Sequence, residues 1–165
     1  MLGETKKNRG LLLESDVLLA QKFCEAGFGF GSNGELLLHP LEAAYLVQLG
    51  KSSFAKGNLA QFITIQKKKN KLFPFAFVAY MAIRGTGRMV RPYAEGMKYL
   101  RVYAPGVGRE KDRPSQLVCL LPGKVPSVKA ITDEVKVAHL ARLDLIIACG
   151  TEKKMKFYKV SSFNF

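Results

Sequence analysis

The sequence predicts an α/β (α+β) chain built as two small mixed domains. Three observations lead there. The 165 residues are 48% hydrophobic and 24% charged, an ordinary globular balance, with length for one domain or two small ones. Short apolar stretches bounded by Gly, Asn and Pro alternate with longer stretches whose apolar residues recur at helical spacing. Near residue 72 the order changes to a strand-strand-strand-helix-strand-strand unit, so the boundary is placed between residues 1–72 and 73–165.

The elements follow in order. Leu11–Leu13 and Val17–Leu19 read as short strands, after a polar N-terminus. Gly27 to Gly31 reads as a turn or hairpin region, and Ser32-Asn33-Gly34 as a hairpin turn leading into a strand over Glu35–Leu38. His39-Pro40 opens a helix, because proline suits the first helical position. Leu41, Ala44, Tyr45 and Leu49 then share a face, and Gly50 ends it. Asn58 to Gln66 reads as a second helix running into the basic stretch Lys67 to Lys71, which is either a solvated helix end or a binding patch. Leu72 to Arg84 reads as a third helix, stopped by Gly85-Thr86-Gly87. Strands are expected at Met89–Pro92, Lys98–Ala104 and Gln116–Leu121, with a polar loop over Pro105–Pro114. A helix capped by Thr132 spans Thr132–Leu143. Strands at Leu145–Cys149 and Met155–Val160 close the chain around a turn at Gly150–Lys154.

Charge narrows the function classes. Lysine and arginine number 26 against 13 acidic residues, a formal charge of +13. A polyanion, nucleic acid first, is the expected partner. Residues 1–72 carry +4 and residues 73–165 carry +9, so the second domain holds the stronger electrostatic footprint. No apolar run approaches the roughly 20 residues that span a bilayer, and no secretory signal is read, so a cytoplasmic protein without membrane contact is expected. The three cysteines, Cys24, Cys119 and Cys149, sit among apolar residues and read as buried reduced thiols. With His39 and His139 they form no zinc pattern, and no phosphate-loop motif is present, so neither a metal nor a cofactor is expected.

Six segments carry a family resemblance. Leu36 to Val47 (LLLHPLEAAYLV), Tyr80 to Val90 (YMAIRGTGRMV), Tyr99 to Tyr103 (YLRVY), Leu117 to Pro122 (LVCLLP), His139 to Ala148 (HLARLDLIIA) and Lys156 to Val160 (KFYKV) resemble, in order and spacing, segments of the tRNA-splicing endonuclease family. The resemblance covers roughly residues 35–160. It implies a two-domain layout whose C-terminal domain is a mixed sheet with a flanking helix of that family's catalytic-domain type. It also implies metal-free cleavage of the RNA backbone. A Tyr takes the 2′-hydroxyl proton, a His protonates the departing 5′-oxygen, and a Lys stabilises the charged phosphorane. The products are a 2′,3′-cyclic phosphate and a 5′-hydroxyl.

Carried over by motif, the Tyr falls on Tyr103, the His on Arg113, and the Lys on Leu143, or on Arg142 if the register slips by one. Arginine stays protonated near neutral pH and is a poor proton donor, and leucine has no charge. The resemblance therefore implies vestigial positions rather than a catalytic set, and a non-catalytic structural subunit of an archaeal heteromeric enzyme. The implied partners are a catalytic paralogous subunit, in a heterotetramer of two such pairs, and precursor tRNA. Edge pairing through the last strand would place Met155, Phe157, Tyr158 and Val160 at the partner, with Phe163 and Phe165 adding apolar contact. The RNA-contact expectations are Lys98, Arg101, Arg109 and Arg113. The family's structural subunits insert an acidic loop into their partner. None is placed here, since Gly123 to Ala130 is basic, and Glu110 and Asp112 lie in another loop.

Three other readings stay open. A metal-dependent nuclease would need clustered carboxylates, for which Asp144 and Glu95 are candidates, but no Asp/Glu-x-Lys triplet stands on a neighbouring strand. A small basic RNA-binding module without a splicing role fits the charge, although segments in register argue against it. Retained activity would need another acid, and Tyr93 and Tyr99 serve poorly near neutral pH.

Overall fold

The computed structural model describes residues 2–4, 12–14, 16–32, 35–93, 96–105, 113–123 and 126–161. Strands β1 (Leu2–Glu4) and β2 (Leu12–Glu14) are followed by helix α1 (Val17–Glu25), the strands β3 (Phe30–Ser32) and β4 (Glu35–Leu38), and the helices α2 (Pro40–Gln48), α3 (Leu59–Lys69) and α4 (Phe73–Arg84). Then come β5 (Val90–Pro92), β6 (Tyr99–Val102), β7 (Gln116–Pro122), α5 (Val128–Ala141), β8 (Asp144–Thr151) and β9 (Lys154–Val160). The described residues through Phe77 pack as one compact unit and those from Val78 onward as a second. The fold is a mixed α+β one.

In the first unit the sheet order is β1-β2-β4-β3, all antiparallel. Ala20 and Phe23 of α1, Leu36 and Leu38 of β4, and Ala43 and Leu46 of α2 build its core with Leu2 and Phe28. The Val17–Leu19 segment is helical, not a strand. Asp16 decides this, because its Oδ1 accepts from the N–H of Leu18 and Leu19, both at 3.0 Å, and satisfies two donors that a helix start leaves orphaned. The N-terminal strand β1 was not read from the sequence. Leu2 is buried, and its backbone bonds Ser53 and Ala55. Helix α2 opens as expected. His39 is the cap, its Nδ1 accepting from Leu41 N at 3.2 Å, and Pro40 follows it. Buried Glu42 accepts from His39 N at 2.9 Å and from Gly29 N at 3.1 Å, which ties the glycine-rich turn to the helix start. Gly29 has φ +59°, and a Cβ there would meet Leu37 O at 2.5 Å, so no other residue fits. Cys24 is exposed, unlike the other two cysteines, because it faces outward from α1.

The second unit is a five-stranded mixed sheet in the order β5-β6-β7-β8-β9. Only β7 and β8 run parallel, and α5 makes the crossover between them. One face, with Leu117, Cys119, Leu145, Ile147 and Cys149, packs under Ala138 of α5. The alternate residues Leu100, Val102, Val118, Leu120 and Ala148 are also buried, so the central strands read as continuous apolar runs. Helix α5 starts four residues earlier than the sequence reading. Its cap is Ser127, whose Oγ accepts from Ala130 N at 3.3 Å, while the Thr132 hydroxyl donates to Val128 O within the helix. It ends at Arg142, in the left-handed region at φ 56°, where Leu143 N bonds Ala138 O at 3.0 Å. No helix among the described residues is long and apolar enough to cross a membrane.

Candidate functional site

One end of the second sheet gathers the three positions of interest. The end of β6, the start of β7 and the start of β8 are adjacent, because Val102 pairs with Gln116 and Gln116 with Asp144. Ser115 N donates to Val102 O at 2.9 Å, and Asp144 N to Ser115 O at 3.1 Å, which extends the ladder past the strand ends. Tyr103 follows β6, with its N–H on Met89 O at 3.0 Å. Its side chain is only 8% exposed. Arg113 precedes β7 and is exposed. Leu143 sits between α5 and β8, half-buried against the apolar cluster under α5. It also lines a pocket of about 230 Å³ with His139, Asp144 and Lys159. The Lys159 ammonium and the Asp144 carboxylate are paired there at 2.8 Å. His39 belongs to the first unit, where burial pushes its pKa down to about 4.

The expected RNA contacts separate into different environments. Lys98 is engaged by Glu134 at 2.6 Å, and this bond holds the ammonium charged above its ordinary range. Glu134, only 6% exposed, also accepts from the Tyr99 hydroxyl at 2.8 Å. Burial opposes its charge, but bonds from Lys98, Tyr99 and Cys119 outweigh that and hold its carboxyl below the usual range. The Cys119 thiol is pushed up to about 12 by burial and by the neighbouring carboxylate. Arg101 lies with its guanidinium 4.7 Å from the centre of the Tyr93 ring. Arg109 lies outside the described residues.

The strand expected at a partner is the outermost of its sheet. Among the described residues β9 pairs with β8 alone. Phe157 and Tyr158 are 40% and 45% exposed. Met155 is half-buried, and half-buried Val160 packs on the α5 cluster. Phe163 and Phe165 lie outside the described residues. Asp144 is committed to Lys159, Glu95 is outside the described residues, and no group of three His, Cys, Asp or Glu side chains suited to a metal occurs among the described residues.

Sequence reasoning missed the Glu134 network and the pairing of Arg91 with Arg101 across β5 and β6. The only available signal was the alternation of Tyr99 and Arg101 with Leu100 and Val102, which requires the strand register to interpret.

Comparison with known proteins decides the family. The chain is 32% identical over 145 residues to a tRNA-splicing endonuclease of Thermococcus gammatolerans, an alignment covering 84% of each chain. The chain belongs to the tRNA-splicing endonuclease family. The protein of the same name from Thermococcus kodakarensis is 31% identical over 144 residues, again 84% of each chain. That of Thermococcus onnurineus is 28% identical over 159 residues, covering 92% of this chain and 91% of its own. No protein-family model matches the chain. The six resembling segments quoted above fall on β4 with α2, the end of α4 with β5, then β6, β7, the α5–β8 joint and β9.

Proposed function

We propose that this chain acts in tRNA splicing as a non-catalytic structural subunit of a heteromeric tRNA-splicing endonuclease. In this reading it supports a catalytic paralogue and completes the surface that binds precursor tRNA, in a cytoplasmic archaeal heterotetramer. Residues 73–165 form its endonuclease-like domain. The names of its relatives support the splicing role. The finer reading rests on one observation, the environment of Tyr103, Arg113 and Leu143 at the shared sheet end.

Backbone cleavage through the 2′-hydroxyl needs a base, an acid and a fixed cation around one phosphate. Tyr103 supplies a phenol, but it is buried beside β5. Arg113 is exposed and permanently protonated, so it binds phosphate but donates no proton to a leaving oxygen. Leu143 packs into the apolar cluster where a cation would be required. Loss of the general acid alone costs about 100- to 10,000-fold in rate. In this reading β9 offers its unpaired edge, with Phe157 and Tyr158, to the catalytic subunit.

The test is cleavage of an intron-containing precursor tRNA in EDTA, by this chain alone and mixed with a catalytic paralogue. Cleavage in the mixture only is the expected result. Cleavage by this chain alone would overturn the assignment of Arg113 and Leu143 as vestigial.

A further inference from the structure

Between Ala43 and Phe77 the first unit carries six lysines and no aspartate or glutamate. Four of these, Lys56, Lys67, Lys68 and Lys71, lie at the two ends of α3 and are exposed. Among the described residues none of the four has an ion-pair partner. A face that serves solubility alone mixes both signs, and helical lysines are ordinarily steadied by a glutamate one turn earlier. Here the residues one turn before Lys67 and Lys68 are Ile63, Thr64 and Ile65.

The field of the helix accounts for one end only. Lys67 and Lys68 lie in the last turn, where the partial negative charge of the free carbonyls favours cations. Lys56 stands at the opposite end, two residues before the Asn58 cap, where the partial positive charge of the N–H groups disfavours a cation. A polyanion lying along α3 explains both ends. The helix has 11 residues and is about 16 Å long, so lysines at its two ends reach different phosphates of one backbone. The exposed residues between them, Ala60, Gln61, Thr64 and Ile65, include no aromatic or arginine of the kind that anchors a protein interface. Lysine is a point charge on a flexible stem, suited to phosphate contact without base readout.

We infer that α3 of the first unit is a second RNA-binding surface, on which Lys56, Lys67, Lys68 and Lys71 neutralise phosphates of an RNA backbone without reading its sequence. The identity of that RNA as precursor tRNA rests on the splicing reading above, whereas the surface rests on the first unit alone. It is separate from the contacts expected in the second unit, because all four lysines belong to the first.

The test uses the full chain, with labelled precursor tRNA and an RNA duplex of unrelated sequence, each titrated across a sodium chloride series. Lys67→Gln with Lys68→Gln should flatten the logarithmic salt dependence by about 1.5–2 units and weaken binding about 10- to 30-fold near 0.15 M salt, on both RNAs. Lys56→Gln, at the other end of the helix, should flatten it by about one unit. Lys22→Gln removes the same charge from an exposed position on α1 and should change the slope by less than about half a unit. Glutamine keeps the helix propensity of lysine, and circular dichroism checks that each variant is folded.

No binding by wild type, an unchanged slope in either lysine variant of α3 and its flank, or an equal fall in Lys22→Gln would overturn the surface. A loss confined to precursor tRNA would overturn the sequence-independent mode. Unaltered RNA binding with weakened association with the catalytic paralogue would assign the lysines to a protein and overturn the RNA reading. Failure of the mixed cleavage assay with the lysine-dependent binding intact would sink the subunit reading and leave the surface standing.

Discussion

Replacing Glu134 by alanine should be among the most damaging single changes in the second unit. The carboxylate sits under α5 and accepts from Lys98 at 2.6 Å and Tyr99 at 2.8 Å, bridging 36 and 35 residues of chain respectively. The Tyr99 bond is charge-assisted, and such a bond contributes about 1.5–3 kcal/mol. The Lys98 bond contributes less, at most about 1 kcal/mol, because the lysine side chain is 47% exposed and water screens the pair. Removing the Glu134 methylenes from the interface costs about 1 kcal/mol more. The sum is about 2.5–5 kcal/mol, whereas Lys98→Met should cost about 1 kcal/mol or less. The assay is urea denaturation followed by circular dichroism and tyrosine fluorescence, which the lack of tryptophan leaves unobscured. The pH dependence gives an independent check. The folded carboxyl titrates below its unfolded value of 4.5, so its contribution is complete above that pH and is lost as pH falls below it. Glu134→Gln should flatten that acid limb. A Glu134→Ala loss under about 1 kcal/mol, or a Lys98→Met loss equal to it, would refute the claim that the buried tyrosine bond dominates.

Other outcomes follow from other sites. His39 is held neutral at a pKa of about 4 against an ordinary 6.5, so the unfolded chain binds the extra proton between these values. Stability of the first unit should therefore fall by about 3 kcal/mol as pH drops from 6.5 to 4, and His39→Asn, which keeps a capping acceptor, should remove that slope in pH-resolved urea titrations. Tyr103→Phe should leave the rate of the assembled endonuclease unchanged in precursor tRNA cleavage, and a loss of 100-fold or more would make the tyrosine functional. Phe157→Glu with Tyr158→Glu changes two exposed side chains of β9, so, if the proposed pairing holds, sedimentation should show association with the proposed catalytic paralogue weakened at least tenfold while the circular dichroism of the chain alone is kept.

The elements that could be read directly were those whose signals are local. Helix α2 carries its cap, its proline and its apolar spacing within ten residues, and β7 and β8 are apolar runs with clear ends. Val17-Leu18-Leu19 misled because its composition suits a strand, while the single carboxylate of Asp16 sets the backbone. Thr132 looked like a cap because acidic residues follow it, but Ser127 lies where the chain first leaves the extended region. The positions of Tyr103, Arg113 and Leu143 were legible only through family resemblance. Their environments were not, since burial of Tyr103 depends on β5 pairing and that of Leu143 on the turn at Arg142. The Glu134 network and the Arg91–Arg101 pair depend on contacts between distant segments and on register, which no local pattern encodes.

Among the described residues the two borders of the second sheet, β5 and β9, are unlike. β5 is three residues long and ends in Pro92, which has no N–H to give to a further strand, whereas β9 runs seven residues without a proline. A further strand therefore finds its longer run of open backbone donors and acceptors at β9. Two sheets joined there would turn their β5 borders outward, and a three-residue strand with a donor missing at Pro92 pairs poorly with a third. Strand-to-strand growth through β9 would then be disfavoured after a single step, which would spare a domain with an open margin the runaway stacking that such margins invite.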